Sequence, residues 1–246
     1  LLQLAGVADF FLRGFFFTTR NAVRPGNRAG GACSAARASL AEQCERHFGW
    51  LERRGLLEVS YEGFQELQKL RGAVLVSNHP GLFDALLIYR RFPRAACVMR
   101  SGLRNNLCFR GYARECGFLP NDSGRGFLDA AESALLSGDN LLIFPEGTRT
   151  QPGQVLNPFL RGFAHAAVRV RAPVQTLLIR QEGDYLRKGT SLLAPARLPV
   201  RIHLSLGEEF FARPAEKASE FCGRVRAWFL DHLGEQDRAT VLSARR

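Results

Sequence analysis

Ala73-Val74-Leu75-Val76-Ser77-Asn78-His79-Pro80-Gly81-Leu82-Phe83-Asp84 is an apolar run that breaks into a Pro/Gly turn and then delivers a carboxylate. The same shape recurs in Asn140-Leu141-Leu142-Ile143-Phe144-Pro145-Glu146-Gly147-Thr148-Arg149-Thr150. Short runs with no polar face suit strands buried on both sides of a parallel sheet, and such strands pass their last residues to functional loops. Further apolar runs near 95–100 and 173–180, and a weaker one at 117–120, alternate with helical patterns near 83–91, 105–115, 125–138 and 160–170. That alternation predicts an α/β fold with a mostly parallel central sheet flanked by helices. Val200 to Leu206 alternates apolar with polar residues and predicts a later strand.

Outside this block, Leu40, Cys44, Phe48 and Leu51 fall on one helical face. A closing helix is expected with Pro214 as its first residue and a stripe of Ala218, Phe221, Cys222, Val225, Phe229 and Leu233. Residues 25–35 are small and turn-rich, as a linker is, and 236–246 read as a polar, frayed tail. The expected organisation is therefore an N-terminal segment and linker over 1–35, a main domain over 36–235 and the tail.

The N-terminal segment is apolar and aromatic through Phe17, contains Asp9 and Arg13, and is followed by Arg20, Arg24 and Arg28. It is too short and too charged for a spanning helix, and no small-residue cleavage site follows it. An apolar helical segment in a membrane interface fits best, with a core helix as the alternative. The chain opens Leu1-Leu2 rather than Met, as a fragment does. A formal net charge of +11 favours anionic partners, phosphates or an anionic membrane surface among them. Nucleic acid is not expected, because the basic stretches lack recognition motifs. Only three of the 34 basic residues are Lys, so a compositional bias dilutes the meaning of any single Arg. The six Cys show no C-x-x-C spacing and read as reduced, buried small side chains, without a metal or disulfide framework.

Chemistry concentrates in the two quoted strings. An imidazole at a strand end can take a proton from an alcohol, the better when a carboxylate fixes its tautomer, and Asp84 follows His79 across a tight turn. The alternative is that His79 is structural and Asp84 a helix N-cap. In the second string Gly147 admits a close backbone approach and Arg149 suits a phosphate, while Glu146 could orient a hydroxyl or hold Arg149. Arg100, at the end of an expected strand, is placed to point into the same cleft. It belongs to a run of seven Arg between Ala85 and Arg114 with no acidic residue, a candidate basic surface.

Together the strings resemble the glycerophospholipid acyltransferase superfamily, the 1-acylglycerol-3-phosphate acyltransferase-like proteins. Its hallmark is Asn-His-x-x-x-x-Asp followed by Phe-Pro-Glu-Gly-Thr-Arg, and both strings are intact here. Met99-Arg100, Gly117-Phe118-Leu119-Pro120-Asn121-Asp122 and Ala172-Pro173-Val174 are similar too, so the likeness spans roughly residues 56 to 210. The resemblance implies a proton-abstracting His79 with its Asp84. It also implies acceptor and phosphate binding by Glu146, Gly147, Thr148 and Arg149, with Arg100 and Arg161 as further basic residues. Many members continue with Phe-Lys-x-Gly where this chain has Phe159-Leu160-Arg161-Gly162. The implied reaction is O-acyl transfer from an acyl thioester, on CoA or acyl carrier protein (ACP), to a glycerophospholipid-type hydroxyl, with no cofactor. It would occur at the cytoplasmic face of the cell membrane, on a peripheral or N-terminally anchored protein. The competing readings are a thioester or phosphate-ester hydrolase using the same pair, and a non-catalytic basic binding module.

Overall fold

The computed structural model describes residues 31–104, 110–121, 124–183, 186–191 and 197–243. In chain order the elements are α1 (Gly31–Arg53), β1 (Leu57–Glu62), a 3₁₀ turn (Glu66–Lys69), β2 (Val74–Ser77), α2 (Asp84–Arg91), β3 (Ala95–Met99), α3 (Ser101–Arg104) and α4 (Arg110–Glu115). They continue with β4 (Leu119–Pro120), α5 (Arg125–Leu136), β5 (Asn140–Ile143), α6 (Gly162–Val170), β6 (Val174–Gln181), β7 (Val200–Phe210) and α7 (Ala218–Ser243).

The seven strands form one sheet in the order β1-β7-β6-β2-β5-β3-β4. Every pairing is parallel except β6 with β7. Strand pleating sends alternate side chains to opposite faces, and the two cores follow it. Leu75 and Leu142 join one core with Leu40, Phe48 and Leu87 of α1 and α2. Val74, Val76, Leu141 and Ile143 join the other with Phe127, Phe163, Phe221 and Phe229 of α5, α6 and α7. The fold is thus the expected α/β sandwich, a sheet between two helical layers. Each large apolar side chain so enclosed contributes about 1.5–3 kcal/mol.

Leu40, Cys44, Phe48 and Leu51 are all buried, as the helical spacing required. Several expectations need correction. Helix α1 already includes Gly31, inside the stretch expected as linker, because Ala32, Ala35, Ala36 and Ala38 favour helix more than Gly31 opposes it. Pro214 is not the first residue of α7. The chain turns through Ala215, at φ 60°, and the helix starts at Ala218. Nor is the tail frayed throughout, since α7 continues to Ser243. Strand β1 is not among the expected strands, although Leu57, Val59 and Tyr61 alternate with Glu58, Ser60 and Glu62, because a single edge strand has only a short period-2 signal. The helical stretch expected over 105–115 is described only from Arg110, and the N-terminal segment through residue 30 lies outside the described residues. Among the described residues no helix is long and apolar enough to cross a membrane.

The run of seven Arg is not one basic surface. Arg90 is buried, its side chain 4% exposed, with bidentate bonds to Glu45 and Glu52 of α1 at 2.8–2.9 Å. These pairs clamp α2 to α1. Taking an unpaired guanidinium out of water would cost several kcal/mol, so the two carboxylates are what permit Arg90 to sit there. On the same helix, Arg37 spans to the start of β5, with Asp139 at 2.7 Å and the Cys116 carbonyl at 2.7 Å. The described cysteines, Cys33, Cys44, Cys97, Cys116 and Cys222, are free thiols, and all but Cys33 are buried.

Candidate active site

Three neighbouring parallel strands, β5, β2 and β6, end on one edge of the sheet, and β2 is where the chain's winding changes sides. Open parallel sheets bind ligands at such a switch point, beyond the carboxyl ends of the strands. His79 follows β2, the Phe144–Thr150 loop follows β5 and Gln181 ends β6.

The His79 ring is held by a carboxylate at Nδ1 and by an aromatic face. Its Nδ1 lies 2.8 Å from Asp84 Oδ2, and that same oxygen accepts the Gly81 N–H at 2.8 Å. Asp84 is the first residue of α2 and is completely buried, but it does not act as an N-cap. Phe83 occupies that position, and the Asp84 carboxylate turns back to the loop. A carboxylate on Nδ1 puts the hydrogen there and leaves the Nε2 lone pair for a substrate. The ring stacks on Phe144, with centroids 4.3 Å apart, and its side chain is 21% exposed. Gly81 is needed for close approach, because a Cβ there would lie 2.6 Å from Gln181 Oε1 and 3.0 Å from Asp84 Oδ1.

The second string is stitched to the first through the backbone. The His79 N–H donates to Glu146 Oε1 at 2.8 Å, and the His79 carbonyl accepts the Thr150 N–H at 2.8 Å. Glu146 also accepts the Thr150 hydroxyl at 2.9–3.0 Å and the Asn157 N–H at 2.9 Å. It therefore does not hold Arg149, and its oxygens are already engaged by protein donors. Burial pushes the Glu146 carboxyl's pKa up, opposed by these hydrogen bonds. Residue 146 is a strut under the His79 turn, where the sequence suggested a ligand for substrate.

Arg149 points elsewhere. Its Nη1 donates to the Leu186 carbonyl at 2.8 Å and the Arg187 carbonyl at 3.3 Å, in the segment that leaves β6. Arg187 pairs with Gly81 in an isolated antiparallel bridge and donates to the Gln181 carbonyl at 2.7 Å. The next residue, Lys188, reaches Thr148 Oγ1 at 3.2 Å. Gly147 turns at φ 66°, with Leu160 over it. Arg100 is exposed at the carboxyl end of β3, two strands from β2, and Arg161 is exposed where α6 begins. Neither makes a described contact with the His79 turn.

Beside the turn a narrow apolar cleft, partly open to solvent, runs between α1 and the β1–β7 side of the sheet. Leu51, Leu57, Phe83, Leu186 and Ile202 line it, together with Asp84. Sequence reasoning missed Phe144 and Asn157 as supports, although both lie in or beside the second string. It also missed Gln181, Arg187 and Lys188, about a hundred residues from His79 and marked by no pattern.

An imidazole held by a buried carboxylate beside an apolar cleft is an arrangement that could activate a hydroxyl on an amphiphilic molecule. The acyltransferase family model matches residues 58–180, half of the chain. The chain belongs to the acyltransferase family. Two curated relatives are a 1-acyl-sn-glycerol-3-phosphate acyltransferase of Cocos nucifera and the alpha form from Mus musculus. The first is 25% identical over 180 residues, 70% of this chain and 58% of the relative. The second is 27% identical over 157 residues, 59% of this chain and 54% of the relative. The chain thus spans little more than half the length of these acyltransferases. The crystal structure of PlsC, the 1-acyl-sn-glycerophosphate acyltransferase of Thermotoga maritima, matches with a TM-score of 0.73 at 21% identity. That match covers 96% of this chain and 94% of the other, and so extends the shared fold beyond the family-model segment.

Proposed function

We propose that this acyltransferase-family chain moves a fatty acyl group from a thioester, on CoA or acyl carrier protein, to the hydroxyl of a glycerophospholipid-type acceptor such as 1-acylglycerol 3-phosphate. The observation that carries the reading is the 2.8 Å contact between His79 Nδ1 and the buried Asp84 carboxylate. Names of the curated relatives support the acceptor class. In the proposed step the acceptor hydroxyl gives its proton to His79 Nε2 as its oxygen attacks the thioester carbonyl. The new C–O bond forms, the tetrahedral oxyanion collapses, and the C–S bond breaks. The leaving thiolate then takes the proton from the imidazolium, whose charge Asp84 offsets. Atoms and protons balance in that step with no redox partner or metal ion, and the general base supplies roughly 10²–10⁴ in rate. The apolar cleft beside Asp84 suits an acyl chain. Arg149, Thr148 and the exposed Arg100 and Arg161 are the proposed basic and polar surroundings for phosphate. With a lipid acceptor, the reaction belongs at a membrane surface, which we take to be the cytoplasmic face.

His79→Ala should abolish formation of diacyl product from lysophosphatidate and acyl-CoA or acyl-ACP while leaving the melting temperature within a few degrees. Product is read by mass spectrometry. Retained turnover in the purified variant would overturn the mechanism, and release of free fatty acid with no acylated acceptor would replace transfer by hydrolysis.

A further inference from the structure

A second cation joins Arg149 at the second string, and it comes from another part of the chain. Arg149 spends Nη1 on the carbonyls of Leu186 and Arg187, and so holds the segment after β6 against the loop after β5. The neighbouring position that could cover Gly147 carries Leu160, whose Cδ1 would lie 2.7 Å from a Cβ on that glycine. In between, Lys188 brings its ammonium to 3.2 Å from Thr148 Oγ1. The two residues before Lys188 are anchored, by the Gly81–Arg187 bridge to the His79 turn and by the Arg149 bonds to the Leu186 and Arg187 carbonyls. It is half-buried, and Thr148 is half-buried beneath it. An ammonium so held, next to a hydroxyl and a left-handed glycine turn, presents donors to one small anion, and a phosphate monoester matches that donor set.

We infer that Lys188 is a phosphate-binding residue of this site, delivered from the β6–β7 connection to the Gly147–Thr148 turn. The inference rests on the acyl-transfer reading only for which substrate brings the phosphate. That substrate is either the acceptor, through its headgroup, or the thioester donor, through the phosphates of its carrier.

The test compares the full chain with Lys188→Met, Lys188→Arg and the double variant Lys188→Met/Leu160→Lys. Binding of sn-glycerol 3-phosphate, with glycerol as the uncharged control, is followed by NMR titration, and KM is measured separately for donor and acceptor. Losing a charged hydrogen bond should weaken glycerol 3-phosphate binding, and raise one of the two KM values, by about tenfold or more, with kcat changed by less than about threefold. A rise confined to the acceptor KM identifies the acceptor phosphate, and one confined to the donor KM identifies the carrier. Lys188→Arg should stay near wild type, and Leu160→Lys should restore part of the binding by returning a cation to the other side of Gly147. Wild-type binding and KM values in Lys188→Met would overturn the inference. So would a loss shared equally by Lys188→Arg together with a lowered melting temperature, which is the mark of a loop strut. Equal binding of glycerol and glycerol 3-phosphate by the unaltered chain would overturn it as well. His79→Ala separates the two readings, because it should lose acyl transfer and keep glycerol 3-phosphate binding. If the unaltered chain acylates nothing, the binding comparison still decides the role of Lys188.

Discussion

Glu146 accepts hydrogen bonds at both carboxylate oxygens, from the His79 N–H and Thr150 hydroxyl on one and from the Asn157 N–H and the same hydroxyl on the other. No neutral isostere satisfies that arrangement, since the NH₂ of a Gln must face an N–H at one end or the other. Glu146→Gln should therefore cost about 1–3 kcal/mol, the usual penalty for a buried donor left unpaired. It should also release the His79 main chain and lower kcat at least tenfold. Thermal unfolding and steady-state kinetics measure the two effects. Loss of activity with unchanged stability would indicate that Glu146 contacts substrate directly. In the sequence the residue reads as one member of a motif aimed outward at a ligand. The backbone N–H that it supports lies 67 positions away, and no local pattern announces such a partner.

The elements are largely legible in the sequence, whereas the ends of the first and last helices are not. Short apolar runs marked β2, β3, β5 and β6 within a residue or two, because strands buried on both faces admit few polar side chains. The start of α7 illustrates the failure. Pro214 suits a first helical turn, yet the Glu216 carboxylate takes the Arg213 N–H at 2.8 Å and the Arg224 guanidinium at 2.8–2.9 Å, so residues 213–217 are held as a turn ahead of the helix. Arg224 also donates to the Phe211 carbonyl at 2.9 Å, joining the end of β7 to α7. The Arg224 guanidinium holds the Glu216 carboxyl down to about 2, against an ordinary value of 4.5. A carboxyl whose pKa is depressed by folding stabilises the native state above its unfolded value. That contribution should be full above pH 4.5 and should drain away as pH falls towards about 2. Glu216→Gln should flatten this part of the stability profile, as followed by urea unfolding between pH 2.5 and 6. An unchanged slope in the variant would assign the acid sensitivity to other groups.

For the whole molecule, the carboxyl ends of β5, β2 and β6 gather the His79 turn, the Phe144–Thr150 loop and the Arg187–Lys188 segment on one edge of the sheet. Exposed Val155, Leu160 and Leu198 belong to loops on that same edge. The whole chain carries a formal net charge of +11, and we propose that this edge is the one that meets an anionic bilayer. We expect the chain to sediment with vesicles containing phosphatidylglycerol far more than with pure phosphatidylcholine vesicles. Raising salt from about 0.05 M to 0.5 M should release much of it, as screening shortens the reach of surface charge. Equal, salt-insensitive binding to both vesicle types would show that charge does not seat the protein on lipid.

The residues by themselves determined the alternating α/β order, the two strings and the buried stripe of α1, because strand and helix periodicity and turn chemistry act over a few neighbouring positions. The placement of Glu146 beneath His79, the diversion of Arg149 to the Leu186 and Arg187 carbonyls, and the arrival of Lys188 at Thr148 were decided only by the tertiary structure. These contacts join loops that follow different strands. Which loops meet depends on the order in which the strands pair, and that order emerges only when the whole sheet buries its two faces.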